Sequence, residues 1–126
     1  VQQAKNLADK RAESFALGTL GSVYEQTKQF SNAEKLTQQA LTIAQTINAP
    51  DISYRWHWQL GRLLGKQGEI QNAITSYDNA VNNLQSLRSD LVAVNRDVQY
   101  SFRESVEPVY RESVALLLQS KQSNPI

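Results

Sequence analysis

Apolar residues recur three and four positions apart through most of the chain, which is the spacing of amphipathic helices. Two stretches share one further pattern, a Leu-Gly pair followed by two alanines: Leu20-Gly21, Ala33 and Ala40, then Leu60-Gly61, Ala73 and Ala80. Equivalent residues are 40 positions apart (61 − 21 = 40). A fixed offset of this kind indicates that one supersecondary unit is built twice.

The periodic segments predict four helices arranged as two antiparallel pairs. The pairs occupy residues 11–48 and 51–88, each as a first helix, a short turn and a second helix. Ser31 and Glu34 have the spacing of a capping box at the start of a helix, and Asp51 can cap the helix that follows it. Because one pair cannot bury both of its faces, the sequence predicts an all-α stack of helix pairs.

The apolar stripes predict which side of each helix is buried. The expected core residues are Leu17, Leu20 and Tyr24 in the first helix, Ala33, Leu36, Ala40, Ile43, Ala44 and Ile47 in the second, Ile52, Trp56, Leu60, Leu63 and Leu64 in the third, and Ala73, Tyr77, Ala80, Leu84 and Leu87 in the fourth. Glycine is costly inside a helix, so the recurrence of Gly21 as Gly61 predicts a close approach of another helix at both positions.

The repeat pattern does not extend to either end of the chain. Residues 1–8 are predicted to end a preceding helix, separated from the first pair by a polar break at residues 9–11. Residues 89–105 are predicted as a linker, and residues 106–119 as a terminal helix whose apolar stripe packs on the open end of the stack. If that helix instead began near Asp97, Pro108 would kink it. The chain has no methionine, so we expect it to be part of a longer protein.

The residues of the repeat resemble the tetratricopeptide signature, in which Leu-Gly, an aromatic residue, a small turn and two alanines follow one another. The second copy is the better match, with Gly68 in the turn and Tyr77 between its alanines. The first copy has Lys28 near the turn where glycine is common, and Thr37 where an aromatic residue is common. The resemblance implies a TPR-type α-solenoid that binds other proteins. The period of 40 exceeds the usual 34 residues, which is typical of a longer variety of the repeat.

The C-terminal segment is similar to a narrower group of proteins. The residues that carry this similarity are 86–91, 102–111 and the leucines at 116–118. In that bacterial group, such a segment links a TPR array to a CHAT domain, which resembles caspase-type cysteine peptidases. The similarity implies that the array serves as a regulatory or substrate-docking arm for a CHAT domain in the same chain. This sequence of 126 residues contains no cysteine, so it cannot itself perform the chemistry of a cysteine peptidase.

In a TPR stack the first helix of each pair lines a concave groove, and this assignment predicts a peptide-binding surface. The residues expected to face it are Phe15, Ser22 and Glu25 in the first copy and Arg55, Trp58 and Arg62 in the second, with Gly18 and Gly65 beside them. Two guanidinium groups beside an indole can hold an acidic or aromatic peptide. The alternative interpretation is that Trp58 packs against a neighbouring hairpin or the last helix while the arginines are solvated.

Composition excludes several other functions. The net charge is +1 and the chain has no cysteine and one histidine, His57. Scattered basic residues disfavour nucleic-acid and membrane-surface binding, and a metal or catalytic role for one histidine lacks partners, so His57 is predicted to be structural. No phosphate-binding loop or other cofactor motif is present. We therefore expect a non-enzymatic module that binds a protein or peptide, without cofactor. With no signal peptide and no membrane-spanning run, we expect it in the cytoplasm.

Overall fold

The computed structural model describes residues 2–91 and 96–123, and every regular element in these ranges is an α-helix. The helices are α1 (Gln2–Gln26), α2 (Phe30–Thr46), α3 (Pro50–Lys66), α4 (Ile70–Leu91) and α5 (Arg96–Ser123). The predicted all-α fold is therefore confirmed. The helices pack in sequence order, with α1 on α2, α2 on α3, α3 on α4 and α4 on α5.

Tight turns close the two hairpins and the connection between them. Each turn contains one residue in the left-handed region, namely Lys28 with φ 62°, Asn48 with φ 53° and Gly68 with φ 83°. Lys28 and Gly68 are equivalent positions in the two copies (68 − 28 = 40). The first copy thus makes the same turn as the second without the glycine that adopts this conformation at least cost.

The helix starts differ from the predicted capping pattern. Helix α2 begins one residue before Ser31, its N-cap position is Gln29, and no side chain caps it, so the predicted capping box is wrong. Helix α3 begins at Pro50, whose missing N–H costs nothing in the first helical turn. Asp51 is therefore already inside the helix, where its carboxylate pairs with Arg11 rather than capping.

Helix α1 runs without interruption through residues 9–11, so the predicted polar break and the separate helix ending at residue 8 are wrong. Its buried face consists of small and polar residues, Ser14, Gly18, Gly21 and Glu25, which lie at helical spacing. Leu20, predicted to be in the core, is 45% exposed. Polar residues at positions 9–11 do not end a helix whose packing face is elsewhere.

Two apolar clusters hold the stack together. The first joins the two pairs and contains Ala40, Leu41, Ala44, Ala49, Ile52, Trp56 and Leu60. The second joins the second pair to α5 and contains Tyr54, Tyr77, Ala80, Leu84, Val106 and Val109. Close approach at the repeated glycines is confirmed, since a Cβ on Gly21 would lie 2.7 Å from the Thr37 hydroxyl and one on Gly61 would lie 2.6 Å from the Tyr77 ring.

Helix α5 is longer than the predicted terminal helix. It begins at Arg96 and contains Pro108, so the predicted start near residue 106 is wrong and part of the predicted linker is helical. Helix α4 also extends into that linker, and residues 92–95 lie outside the described residues. The apolar stripe predicted for this helix is only partly buried. Val106 and Val109 are buried against α4, whereas Val114, Leu117 and Leu118 are exposed. Hydrogen bonds from Tyr77 to Glu112 and from Gln71 to Ser120 show that α5 lies antiparallel to α4.

Candidate binding surface on helices α1 and α3

The first helices of the two pairs, α1 and α3, lie side by side and parallel, so that equivalent residues of the two copies meet. Arg11 donates to the Asp51 carboxylate at 2.6 Å, across 40 residues of sequence. The hydrogen bond from Arg11 lowers the pKa of Asp51 against the opposing effect of partial burial. We call the surface that carries the six predicted site residues the α1–α3 face.

Glu25 and Arg62 are brought together on this face, but they bind each other. The Arg62 Nε and Nη2 atoms both donate to the Glu25 carboxylate at 3.2 Å, and the Lys66 ammonium group donates to it at 3.2 Å. Glu25 is only 7% exposed. Burial alone would raise its pKa, but the hydrogen bonds and charges of Arg62 and Lys66 together lower the pKa of Glu25. Glu25 is therefore an internal carboxylate that joins the two repeats.

Trp58 connects the α1–α3 face to α5. Its indole N–H donates to the Glu112 carboxylate at 3.1 Å, and the Arg62 guanidinium lies 5.1 Å from the centre of its ring. Tyr77 donates to the same oxygen of Glu112 at 3.0 Å. Burial and the nearby Glu112 charge raise the pKa of Tyr77, which keeps its hydroxyl protonated as the donor. The half-buried Trp58 thus contacts the last helix, as the alternative interpretation proposed, but Arg62 is paired rather than merely solvated.

Phe15 and Arg55 form the open part of the α1–α3 face. Phe15 is 39% exposed and meets the buried Trp56 ring edge-on, with 6.1 Å between ring centres. The exposed Arg55 guanidinium lies 6.0 Å from the Phe15 ring centre and 5.5 Å from that of Tyr54. Among the described residues no carboxylate lies within ion-pair distance of Arg55. These two residues combine an exposed ring with an exposed guanidinium, whose charge acts on Asp51 only at longer range by helping to lower its pKa.

The remaining residues that were predicted to lie on or beside the groove differ in how they are buried. Ser22 is half-buried, and its hydroxyl makes no hydrogen bond within the described ranges. Gly18 was expected to face the groove, but it is buried beneath the Trp56 ring, because the indole fills the space that a side chain at position 18 would need. Gly65 is half-buried, with no neighbouring atom within 4 Å of a Cβ built on it.

Sequence reasoning missed three residues that shape this surface. Lys66 lies one helical turn after Arg62, so extending the same helix face by four residues would have found it. Tyr54 lies next to Arg55, and its ring contacts the Arg55 guanidinium. Glu112 belongs to α5, and the 40-residue offset does not predict how α5 is aligned with α3. Their roles depend on contacts between helices rather than on spacing within one helix.

His57 lies away from the α1–α3 face, beside a small cavity of about 150 Å³. The cavity is lined by Gln45, Asn48, Ala49, Pro50, Ser53, His57 and Asn83. The histidine is buried, and burial lowers its pKa. Within the described part of the chain, no group of three or more histidine, cysteine, aspartate or glutamate side chains is arranged to hold a metal ion. The surroundings of His57 fit the predicted structural role.

The lowered pKa of His57 predicts a loss of stability in mildly acidic solution. The unfolded chain takes up a proton near the ordinary histidine pKa of about 6.5, whereas the folded protein does so only at lower pH. The free energy of unfolding should therefore fall as the pH decreases from about 7.5 to 5.5, by at most about 1.4 kcal/mol per pH unit. Urea unfolding at several pH values measures this slope.

The variant His57→Gln supplies the control for that slope, because its side chain does not titrate. The carboxylates with lowered pKa values, Glu25 and Asp51, release their protons below this pH range in both states and cannot produce the slope. A wild-type slope that persists unchanged in the variant would contradict the assignment to His57.

Two segments of the chain match the family model described as tetratricopeptide repeat, residues 16–47 and residues 54–82. The chain thus carries a tetratricopeptide repeat array, in agreement with the fold and with the 40-residue offset between its two pairs. No curated protein and no solved structure matches the chain significantly. Among the described residues, no helix is both long enough and apolar enough to cross a membrane.

Proposed function

We propose that the α1–α3 face is the groove in which this array binds a segment of another protein. Tetratricopeptide repeats generally mediate protein–protein interaction. The observation that supports this surface is the pair Phe15 and Arg55, which combines an exposed ring with a cation that has no ion-pair partner among the described residues. Aromatic residues and arginine are the residue types that most often dominate binding energy at protein interfaces.

The other proposed site residues fix the shape of this surface. The ion pair between Glu25 and Arg62 joins α1 to α3, and the hydrogen bond from Trp58 to Glu112 joins α3 to α5. A surface whose side chains are already held by such contacts loses little conformational entropy on binding. In this proposal Phe15 and Arg55 touch the partner directly, while Glu25, Arg62 and Trp58 are positioning residues and Ser22 lies between the two groups.

Affinity purification with two matched double variants tests the proposal. The variant Phe15→Ser with Arg55→Ser should lose the partners that the wild-type protein retains from a lysate of its source organism. The control Lys10→Ser with Glu13→Ser removes an exposed ion pair on α1 outside the proposed contact, and it should retain them. The same set of retained proteins with all three forms would reject the α1–α3 face as the binding surface.

We also propose, as a second candidate, that the array is a regulatory or substrate-docking arm for a CHAT caspase-like domain in the same bacterial, cytoplasmic protein. The observation that favours it is that two of the three stretches similar to CHAT-linked proteins, residues 102–111 and 116–118, lie within α5. This helix packs on the second repeat through Val106, Val109 and Glu112. The reading frame that follows residue 126 tests this candidate. A downstream domain with a paired histidine and cysteine supports it, and a stop codon directly after that residue rejects it.

A further inference from the structure

The charges on the α1–α3 face are not balanced. Four cations lie on it, Arg11, Arg55, Arg62 and Lys66, whereas Asp51 and Glu25 are the carboxylates that pair with them. Asp51 neutralises Arg11, and Glu25 is shared by two cations. Glu112 lies at the α5 edge, where its carboxylate accepts hydrogen bonds from Trp58 and Tyr77. The charge of Arg55 also contributes to the lowered pKa of Asp51, but no carboxylate among the described residues forms an ion pair with Arg55. The guanidinium donors of Arg55 and part of the charge of Lys66 therefore remain for a ligand.

Arg55 has the geometry of a carboxylate receptor. Phe15 and Tyr54 pack against its guanidinium, which keeps the group in place while the side chain stays exposed. Guanidinium groups bind carboxylates through two parallel N–H donors. The same surface already shows this mode once, because Arg62 holds the Glu25 carboxylate with two nitrogen atoms at 3.2 Å.

Lys66 provides a second receptor at the other end of α3. Its side chain is 50% exposed, and its ammonium group uses one donor on Glu25 while lying 5.8 Å from the centre of the Phe30 ring. An ammonium group has three donors, so two remain for a ligand. Arg62 makes two hydrogen bonds of its own to the Glu25 carboxylate, one of them to the oxygen that also accepts from Lys66.

The separation of the two receptors defines a spacing in the ligand. Arg55 and Lys66 are 11 residues apart on one helix (66 − 55 = 11), which corresponds to about 16 Å along its axis. An extended peptide covers about 3.3–3.6 Å per residue, so four residues span about 13–14 Å. Successive side chains point to opposite sides of an extended peptide, so two carboxylates that face the same helix are an even number of positions apart, and a spacing of four comes nearest to the distance between the two receptors. A peptide on this path passes Trp58, Arg62 and Ser22.

We infer that the α1–α3 face selects an extended acidic segment whose two carboxylates are four residues apart, one bound by Arg55 and the other by Lys66. This inference rests on the proposed function, since it names the chemistry of the partner for the same surface. It assigns recognition to Arg55, which has no ion-pair partner among the described residues, and to Lys66, which shares Glu25, rather than to Arg62.

Two labelled peptides of identical composition and charge test the spacing. Both are short Ala/Ser/Gly peptides with two glutamates, which are four positions apart in one and two positions apart in the other, so that both glutamates lie on one side of an extended chain. Fluorescence anisotropy at low ionic strength should show about tenfold tighter binding of the first peptide, a difference of about 1.4 kcal/mol. Equal affinities, or no saturable binding of either peptide, would overturn the inference, because charge attraction alone does not distinguish them.

Three single variants locate the receptors. Arg55→Gln and Lys66→Gln should each abolish the preference for the wider spacing. The control Lys35→Gln removes one exposed positive charge from α2 and should leave the preference unchanged. Loss of the preference in the Lys35 variant as well would also overturn the inference. If the peptides fail to discriminate while Phe15→Ser with Arg55→Ser still loses the natural partners, this inference fails and the proposed function stands.

Discussion

Replacing Gly18 with alanine should lower the free energy of unfolding by about 3 kcal/mol, at the upper end of the usual cost of overpacking. A Cβ at this position would overlap the six-membered ring of Trp56. The ring cannot move aside cheaply, because Trp56 is buried and its indole N–H is bonded to Ser14 at 2.9 Å. Helix propensity alone favours alanine, so a loss of stability is expected only because of the contact with Trp56.

Gly65→Ala is the matched control, since it makes the same chemical change in a helix without the clash. No atom lies within 4 Å of a Cβ built on Gly65. This variant should gain about 0.5–1 kcal/mol, through better helix propensity and a less flexible unfolded chain. Urea denaturation followed by far-UV circular dichroism measures both variants. If Gly18→Ala were as stable as the wild type, the close packing of Trp56 on α1 would be refuted.

The contrast between these glycines shows where sequence reasoning succeeded. The offset of 40 predicted the hairpins and the close approach at Gly21 and Gly61, because the same residues occur twice. Gly18 has no glycine partner 40 positions on, where Trp58 stands, so nothing in the repeat marked it as buried. The sequence pattern of α1 instead predicts that Gly18 faces the groove.

Helix α1 shows why the apolar pattern alone misplaced part of the core. Its packing face is small and polar, with Ser14 and Glu25 both buried, whereas Leu20 and Val23 are exposed. Buried polar groups of this kind require partners on other helices, and the partners are Ala40, Trp56 and Arg62. A hydrophobic pattern describes one helix at a time and contains no information on such partners.

The prediction of the candidate site also lacked information on contacts between helices. The spacing of Arg55, Trp58 and Arg62 placed them on one side of α3, but whether a charge on that side is paired depends on α1. Glu25 and Lys66 are nearly one repeat apart (66 − 25 = 41), so their contact could have been predicted once the parallel register of α1 and α3 was assumed. The contact between Trp58 and Glu112 could not, because α5 departs from the 40-residue offset (112 − 58 = 54).

The hydroxyl of Ser14 is expected to contribute about 2 kcal/mol to stability, because it connects three helices. It is fully buried, donates to the Ala40 carbonyl at 2.7 Å and accepts from the Trp56 indole N–H at 2.9 Å. In Ser14→Ala the indole N–H would remain buried without an acceptor, which typically costs about 1–3 kcal/mol. Urea denaturation measures the loss, and the exposed Thr42→Ala, whose hydroxyl bonds only within α2, should change stability by less than about 0.5 kcal/mol.

A double-mutant cycle with Trp56→Phe separates this hydrogen bond from the packing around it. Phenylalanine has no N–H to leave unsatisfied, so Ser14→Ala should cost at least about 1 kcal/mol less in that background than in the wild type. An equal cost in both backgrounds would show that the Ser14 hydroxyl acts through Ala40 or through its volume. The link between α1 and α3 would then depend on the other contacts between these helices, which include the packing of Trp56 on Gly18 and the ion pairs of Glu25 with Arg62 and of Asp51 with Arg11.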